Sequence, residues 1–322
     1  MRCKLLTGAC LFIALALAGT RTGAAALPDL LVDSHGNDSV LRYDGTGRFK
    51  SEFIRSGSGG LSGPGTNPTF GPDGNLYVAS RNSDKVLRYN GSTGAFIDVF
   101  ASGHGLSGAG QAFFGPDGSL YVNGVDSSSI LRFDGRTGAF LNTFVPSGSG
   151  GLNHASGAAF GPDGNLYVGS FATNQVIRYN GATGAFMNVF VRPGNGLSAP
   201  ASPEFGPDGN LYVASFGTNA IMRYDGATGV FLSTFAKGGS LDSPITFIWG
   251  PDSEMYVSST NNNRVLRYDG TTGVFIDTFV PAGSGGLSLP WGLVFVPEPA
   301  SVAVFSLCAL LAVRRPVRRG ES

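Results

Sequence analysis

Few side chains in this sequence combine a reactive type with a telling position. There are three histidines, His35, His104 and His154. Any of them could be a general base if an acid oriented the ring. Carboxylates are more numerous, but Asp73, Asp117, Asp163, Asp208 and Asp252 all stand in one recurring context, Gly-Pro-Asp. Arg42, Arg88, Arg132, Arg178, Arg223 and Arg267 recur in the same way, each beside an aromatic. A side chain present in every copy of a repeat usually serves the copy. The arginines are therefore expected to bury their stems and pair with a carboxylate or carbonyl of the same or the next copy, rather than form a basic ring for an anion. There is no HExxH zinc motif, no GxSxG elbow, no GxxxxGK[ST] phosphate loop and no EF-hand-like ladder of acids.

The recurrence has a period. Stretches resembling Phe70–Phe100 begin at Phe70, Phe114, Phe160, Phe205 and Trp249, at spacings of 44, 46, 45 and 44 residues. Within each, short alternating apolar runs are separated by turn signals, which argues for strands. GPDG at 71–74 combines a fixed φ with a glycine for positive φ and closes a tight hairpin. Leu76–Val78 and Val86–Tyr89 are the second and third strands. Asn90-Gly91 starts another turn, and Phe96–Phe100 is the fourth strand. Four antiparallel strands per unit of this length make a propeller blade.

The ends of the repeat region complement each other. Residues 29–53 are a copy without a first strand, and Leu287–Phe295 is a first strand without a copy. The fold class expected is all-β, a six-bladed β-propeller of four-stranded antiparallel blades. Its ring is closed by a blade shared between the N- and C-terminal strands, which leaves no open edge. Glycine-rich segments such as RSGSGGL (55–61), PSGSGGL (146–152) and PAGSGGL (281–287) recur at one point of the period and read as ordered blade-to-blade loops. Asn174, Asn219 and Asn263 read as turn residues.

The first strands line the central channel. Departures from the repeat on and beside them are the binding candidates: Asn67, Gln111, His154, Glu204, Asp242 and Trp291. All are expected near the channel mouth.

The ends have another character. Residues 1–26 carry a basic start, an apolar segment and Ala24-Ala25-Ala26, the pattern of a secretory signal peptide. Residues 296–322 hold Pro297-Glu298-Pro299, a short apolar run and an arginine-rich end with Arg314 and Arg315. This order reads as a short transmembrane segment with a stop on the cytoplasmic side. All three cysteines, Cys3, Cys10 and Cys308, lie in these ends, so no disulfide framework is expected. The propeller portion, 27–295, keeps 15 basic and 20 acidic residues. A mildly acidic surface offers nucleic acid no electrostatic footprint.

Two resemblances follow. Residues 296–322 resemble the PEP-CTERM sorting signal of exopolysaccharide-producing Gram-negative bacteria. This implies an exosortase-type membrane enzyme as partner, removal of the tail near Pro297–Pro299, and a destination at the cell surface or outside it. GPDGNLYV at 71–78 resembles the NHL repeat core and the wider superfamily of gluconolactonases and streptogramin lyases. The expectation is an exported binding or structural module for an extracellular polysaccharide or protein, with no cofactor. Two enzyme alternatives come with the resemblance: a lactonase-like hydrolase holding Ca²⁺ or Zn²⁺, and a streptogramin-lyase-like enzyme using His154. No family motif matches residue by residue, so no catalytic residue is carried over.

Overall fold

The computed structural model describes residues 26–298. Residues 1–25 of the expected signal peptide, and Pro299, Arg314 and Arg315 of the expected sorting signal, lie outside the described residues. Six four-stranded antiparallel sheets form six blades. Blade 1 orders Pro290–Phe295, Leu30–Ser34, Ser39–Tyr43 and Phe49–Ile54 from channel to rim. The innermost strands of blades 2–6 are Thr69–Phe70, Ala109–Phe114, Ala155–Phe160, Pro200–Phe205 and Pro244–Trp249. The expected closure is present, with Leu30 opposite Phe295, Leu31 opposite Val294 and Val32 opposite Leu293. The closing strand is shorter than the sequence suggests, because Leu289 takes φ 47° and still belongs to the loop. Blade 2 has the shortest innermost strand. Pairing starts at the Pro64–Ser80 bridge but is interrupted by Asn67 at φ 51° and by Pro68, which has no N–H to donate, and resumes at Thr69. Among the described residues no helix is long and apolar enough to cross a membrane.

Blades adhere through aromatics. Tyr77 on the second strand of blade 2 meets Phe100 of its own blade edge-on at 4.8 Å and Phe114 of blade 3 at 5.1 Å. The same wedge recurs at Tyr167 and Tyr212. Tyr256 of blade 6 repeats it on Phe295, which draws the closing strand into the ring. Such edge-to-face pairs add about 0.5–1.5 kcal/mol each beyond area burial.

A polar tie accompanies each wedge. The residue before the third strand of every blade stands in the left-handed region, and its side chain accepts a backbone N–H from the entry to the next blade. Asp38 takes Gly63, Asp84 takes Gly108, Ser128 takes His154, Asn174 takes Ala199, Asn219 takes Ser243 and Asn263 takes Leu289, at 2.5–2.9 Å. Asn and Asp tolerate this conformation and have the acceptor it requires. The asparagines expected as simple turn residues are therefore also ring staples.

The arginines pair as expected, all with carboxylates of their own blade, but their side chains keep 20–30% exposure. The third strand is buried on both faces at its neighbouring positions, as at Val86, Leu87 and Tyr89, and the arginine position is left half-open. Arg88 reaches Asp98 at 2.5 Å and Asp73 at 3.6 Å, whereas Arg178 has only Asp163, at 3.6 Å. The glycine-rich loops are ordered: Gly59 and Gly150, at φ 65° and 62°, press on Phe96 and Phe186, where a Cβ would collide with the ring.

Candidate functional site

The innermost strands all run the same way, so their starts and ends form opposite mouths of the channel. Two separate cavities result. The upper one, about 160 Å³, is lined by strand starts and the short 3-10 turns after the second strands. The lower one, about 410 Å³, is lined by strand ends. Ser202 and Thr246 lie between the two sets of lining residues along their strands, Gln111 stands at the inner edge of the lower set, and all three are buried. Gln111 accepts the Ala158 N–H at 2.8 Å, which ties blade 3 to blade 4 at this waist.

The sequence candidates do not share one mouth. His154 and Trp291 line the upper cavity; Asn67, Gln111 and Glu204 line the lower one. Asp242 lines neither. It stands in the loop above the innermost strand of blade 6, where its carboxylate accepts from the Ser243 hydroxyl at 3.1 Å and the Asn261 amide at 3.3 Å. Alternation along an extended strand separates faces, and strand length separates ends; an alignment of departures cannot distinguish the two.

The upper mouth is aromatic. Phe171, Phe216, Trp291 and His154 line it together with Arg81. His35 stacks on Trp291 with ring centroids 3.5 Å apart, and the Arg81 guanidinium stands over the same indole at 5.9 Å. Arg81 also pairs with Asp126 of blade 3 at 2.8 Å. Burial, together with the Arg81 charge, lowers the His154 pKa against the pull of Asp126. Burial likewise lowers that of His35, opposed by its hydrogen bond to the Pro64 carbonyl. Both imidazoles are therefore neutral near pH 7, and the mouth presents flat, largely uncharged faces beside one guanidinium. His104 is elsewhere, stacked on Phe140 at 4.1 Å.

Sequence reasoning missed Arg81, Phe171 and Phe216. The signal was available, because one repeat position, directly after the serine or glycine that ends the second strand, reads His35, Arg81, Val125, Phe171, Phe216 and Thr260 around the ring. The six blades place five different residue types at this position, phenylalanine twice. The turn lies off the innermost strands that supplied the candidates.

The lower cavity is a different environment. Glu204 stands among Phe113, Phe205, Phe247 and Trp249. Burial raises its pKa to about 8, with no neighbouring charge contributing. Among the described residues no group of three or more His, Cys, Asp or Glu is placed to hold a metal ion. Glu204 and Asp242, the acids a lactonase-like centre would need, belong to opposite ends of the channel. The residues do not fit that site, and no step is derived through it.

No family model matches this chain, and no curated protein matches it. Solved structures do share the fold. A chain of the nidogen/laminin complex superposes with a TM-score of 0.66 at 15% identity, covering 84% of this chain and 98% of its own. A protein of unknown function from Bacteroides caccae gives 0.62 at 16%, covering 84% and 100%. Virginiamycin B lyase from Staphylococcus aureus gives 0.59 at 16%, covering 85% and 90%. At such identities the likeness establishes the six-bladed propeller and nothing finer.

Proposed function

We propose that this protein is an exported binding module whose upper channel mouth takes rings of an extracellular polysaccharide. One observation carries the reading: a single repeat position delivers five residue types over six blades, four of its side chains lining that mouth, while the lower rim repeats Gly-Pro-Asp in five blades. Phe171, Phe216 and Trp291 provide apolar faces for the C–H faces of a sugar ring, and Arg81 provides donors for its hydroxyl or carboxylate oxygens. The position of the chain ends supports the orientation. Ala26–Asp29 and Val296–Glu298 line one groove on the lower face, beside the turns of blades 2 and 3. A tail sorted through the Pro297–Pro299 region by an exosortase-type enzyme would leave from that face, with the upper mouth turned away from the membrane.

Fluorescence tests the reading, because the chain has two tryptophans. With Trp249→Phe, the remaining Trp291 reports the upper mouth alone. Acidic and neutral polysaccharides should quench or shift it saturably, and Phe171→Ser with Phe216→Ser should remove the response. No saturable change with any polysaccharide overturns the proposal. Mass spectrometry of protein from the native host checks export, with a start expected near Leu27 and an end near Pro297–Ala300; a full-length cytoplasmic product contradicts it. A second reading, a lyase, has one observation in its favour: His154 is neutral and lines the mouth beside Arg81. Turnover of a bound substrate lost in His154→Ala would support it over simple binding.

A further inference from the structure

We infer that the lower cavity is a second, independent binding site, for a small organic ammonium ion carried on an aromatic or aliphatic body.

The site is an open basin lined by strand ends from five blades, and its walls are mostly carbon: Pro68, Phe113, Phe247, Trp249, Leu293 and Val294. One acceptor in it has no protein partner. The partly buried Glu204 carboxylate has no cation or hydrogen-bond donor among the described residues. The Asn67 side-chain oxygen is also unpaired but is buried away from the cavity. A carboxylate that loses water without gaining a donor is costly. The residues that would most simply relieve that cost are absent, since the cavity lining holds no Lys, Arg or His.

The ligand class follows from this inventory. A carboxylate without a donor against apolar walls asks for a ligand that both donates a hydrogen bond and carries one positive charge. An ammonium group meets both requirements. Aromatic faces around it add cation–π attraction, and the same rings cover a carbon body. An anion would face Glu204 with no counter-charge. A neutral alcohol would satisfy one acceptor and leave the charge of an ionised Glu204 unanswered. The volume, about 410 Å³, suits a ligand of metabolite size.

Titratable groups on the elements behind the cavity are few. Tyr212 lies opposite Glu204 on the second strand of blade 5, and its hydroxyl is turned to Asp208. Asp33, on the second strand of blade 1, is fully buried beside Gly292 and Asn67. Neither supplies a cation.

The test uses the full chain with Trp291→Phe, so that Trp249 in the cavity wall is the only indole. The probes are 2-phenylethylammonium and its neutral analogue 2-phenylethanol, titrated at pH 8.5 where Glu204 is mostly ionised. The amine should give a saturable change at least ten-fold tighter than the alcohol. Glu204→Gln, close in shape, should abolish that preference. Calorimetry on the unsubstituted protein measures the same preference without relying on any variant. Equal affinity for amine and alcohol, an unchanged preference in a folded Glu204→Gln protein, or no saturable binding by either method would overturn the inference. A response of Trp249 to polysaccharide but not to amine would also overturn it, by assigning the lower cavity to the ligand proposed for the upper mouth.

Discussion

The two rims of the propeller come from one repeat and diverge. On the lower rim, Asp73, Tyr77 and Arg88 form a cluster whose carboxylate, phenol and guanidinium are matched in blades 3 to 6. Burial pushes the Asp73 carboxyl up, but hydrogen bonds from Asn75 and Tyr77 and the Arg88 charge hold it below its ordinary value. On the upper rim the blades agree only in backbone: His35, Arg81, Val125, Phe171, Phe216 and Thr260 share a position and little else. A need common to all blades keeps one residue type. A position freed from that need can vary, and around this ring it varies where a cavity opens.

The largest test of the contrast concerns the ring that both rims share. Ending the chain at Gly286 removes the strand opposite Leu30–Val32, the Tyr256–Phe295 contact and the Asn263–Leu289 tie. It leaves Val32 and Leu30 on an exposed edge. The truncated protein should aggregate or be digested under conditions where the parent resists protease. A soluble monomer melting with the parent would show that closure is not what stabilises the ring.

The next test grades the lower rim itself. Arg88→Ala loses a two-point contact with Asp98 and cation–π packing on Phe100. Because Asp98 is 44% exposed, solvent screening limits the cost, and about 1–2 kcal/mol is expected. Arg178→Ala, with its carboxylate at 3.6 Å and Nε unpaired, should cost roughly 0.5–1 kcal/mol. Urea midpoints of both variants check the order, and a reversed order would mean that packing of the stems outweighs the ion pairs.

Blade 1 breaks the repeat in a different way. Asp33 is fully buried with neither carboxylate oxygen partnered, where blades 2 and 5 carry Ala79 and Ala214. Burial raises its pKa well above the ordinary carboxylate value. A group whose folded pKa lies above its unfolded one binds its proton more tightly when folded, so stability falls as pH rises from about 4 through the folded pKa. Asp33→Ala removes that loss and should stabilise by roughly 1 kcal/mol at pH 7. The gain should shrink toward pH 4, where the acid is protonated when folded and about half protonated when unfolded. Thermal melts at the two pH values decide it, and a gain that is larger at pH 4 contradicts the account.

Much of the architecture was legible because a repeat multiplies weak signals. GPDG, Asn-Gly and the alternating triplets each say little alone, yet five copies in phase fix strand order and blade number. The shared blade was legible from a missing strand at one end and a spare one at the other. What escaped was lateral. No spacing along one chain segment reveals that Asn174 caps Ala199 of the next blade, or that the arginine positions of otherwise buried third strands meet water. The site was half legible. Choosing departures on the innermost strands found His154, Trp291, Asn67, Gln111 and Glu204. It merged two mouths into one, and it overlooked the turn position that carries Arg81, Phe171 and Phe216.

The smallest expected effect is the most telling for the contrast. Phe171 is partly exposed and touches the His154 ring, whereas Phe216, 5.6 Å from it, also packs against the core between blades 5 and 6. Exposed positions away from the core typically shift stability by no more than about 0.5 kcal/mol when changed. Phe171→Ser should therefore melt within about 1–2 °C of the parent, since 1 kcal/mol moves a domain of this size by only about 2–4 °C. The same variant should lose most of the Trp291 response to polysaccharide. The aromatic wedges inside the ring, such as Tyr167 against Phe190 and Phe205, predict the opposite pairing of effects. Tyr167→Ser should cost several kcal/mol, of the order of 3–5 for an emptied aromatic site. If Phe171→Ser destabilised as Tyr167→Ser does, the upper turns would be part of the scaffold, and their variety around the ring would reflect packing between unequal blades instead of a ligand.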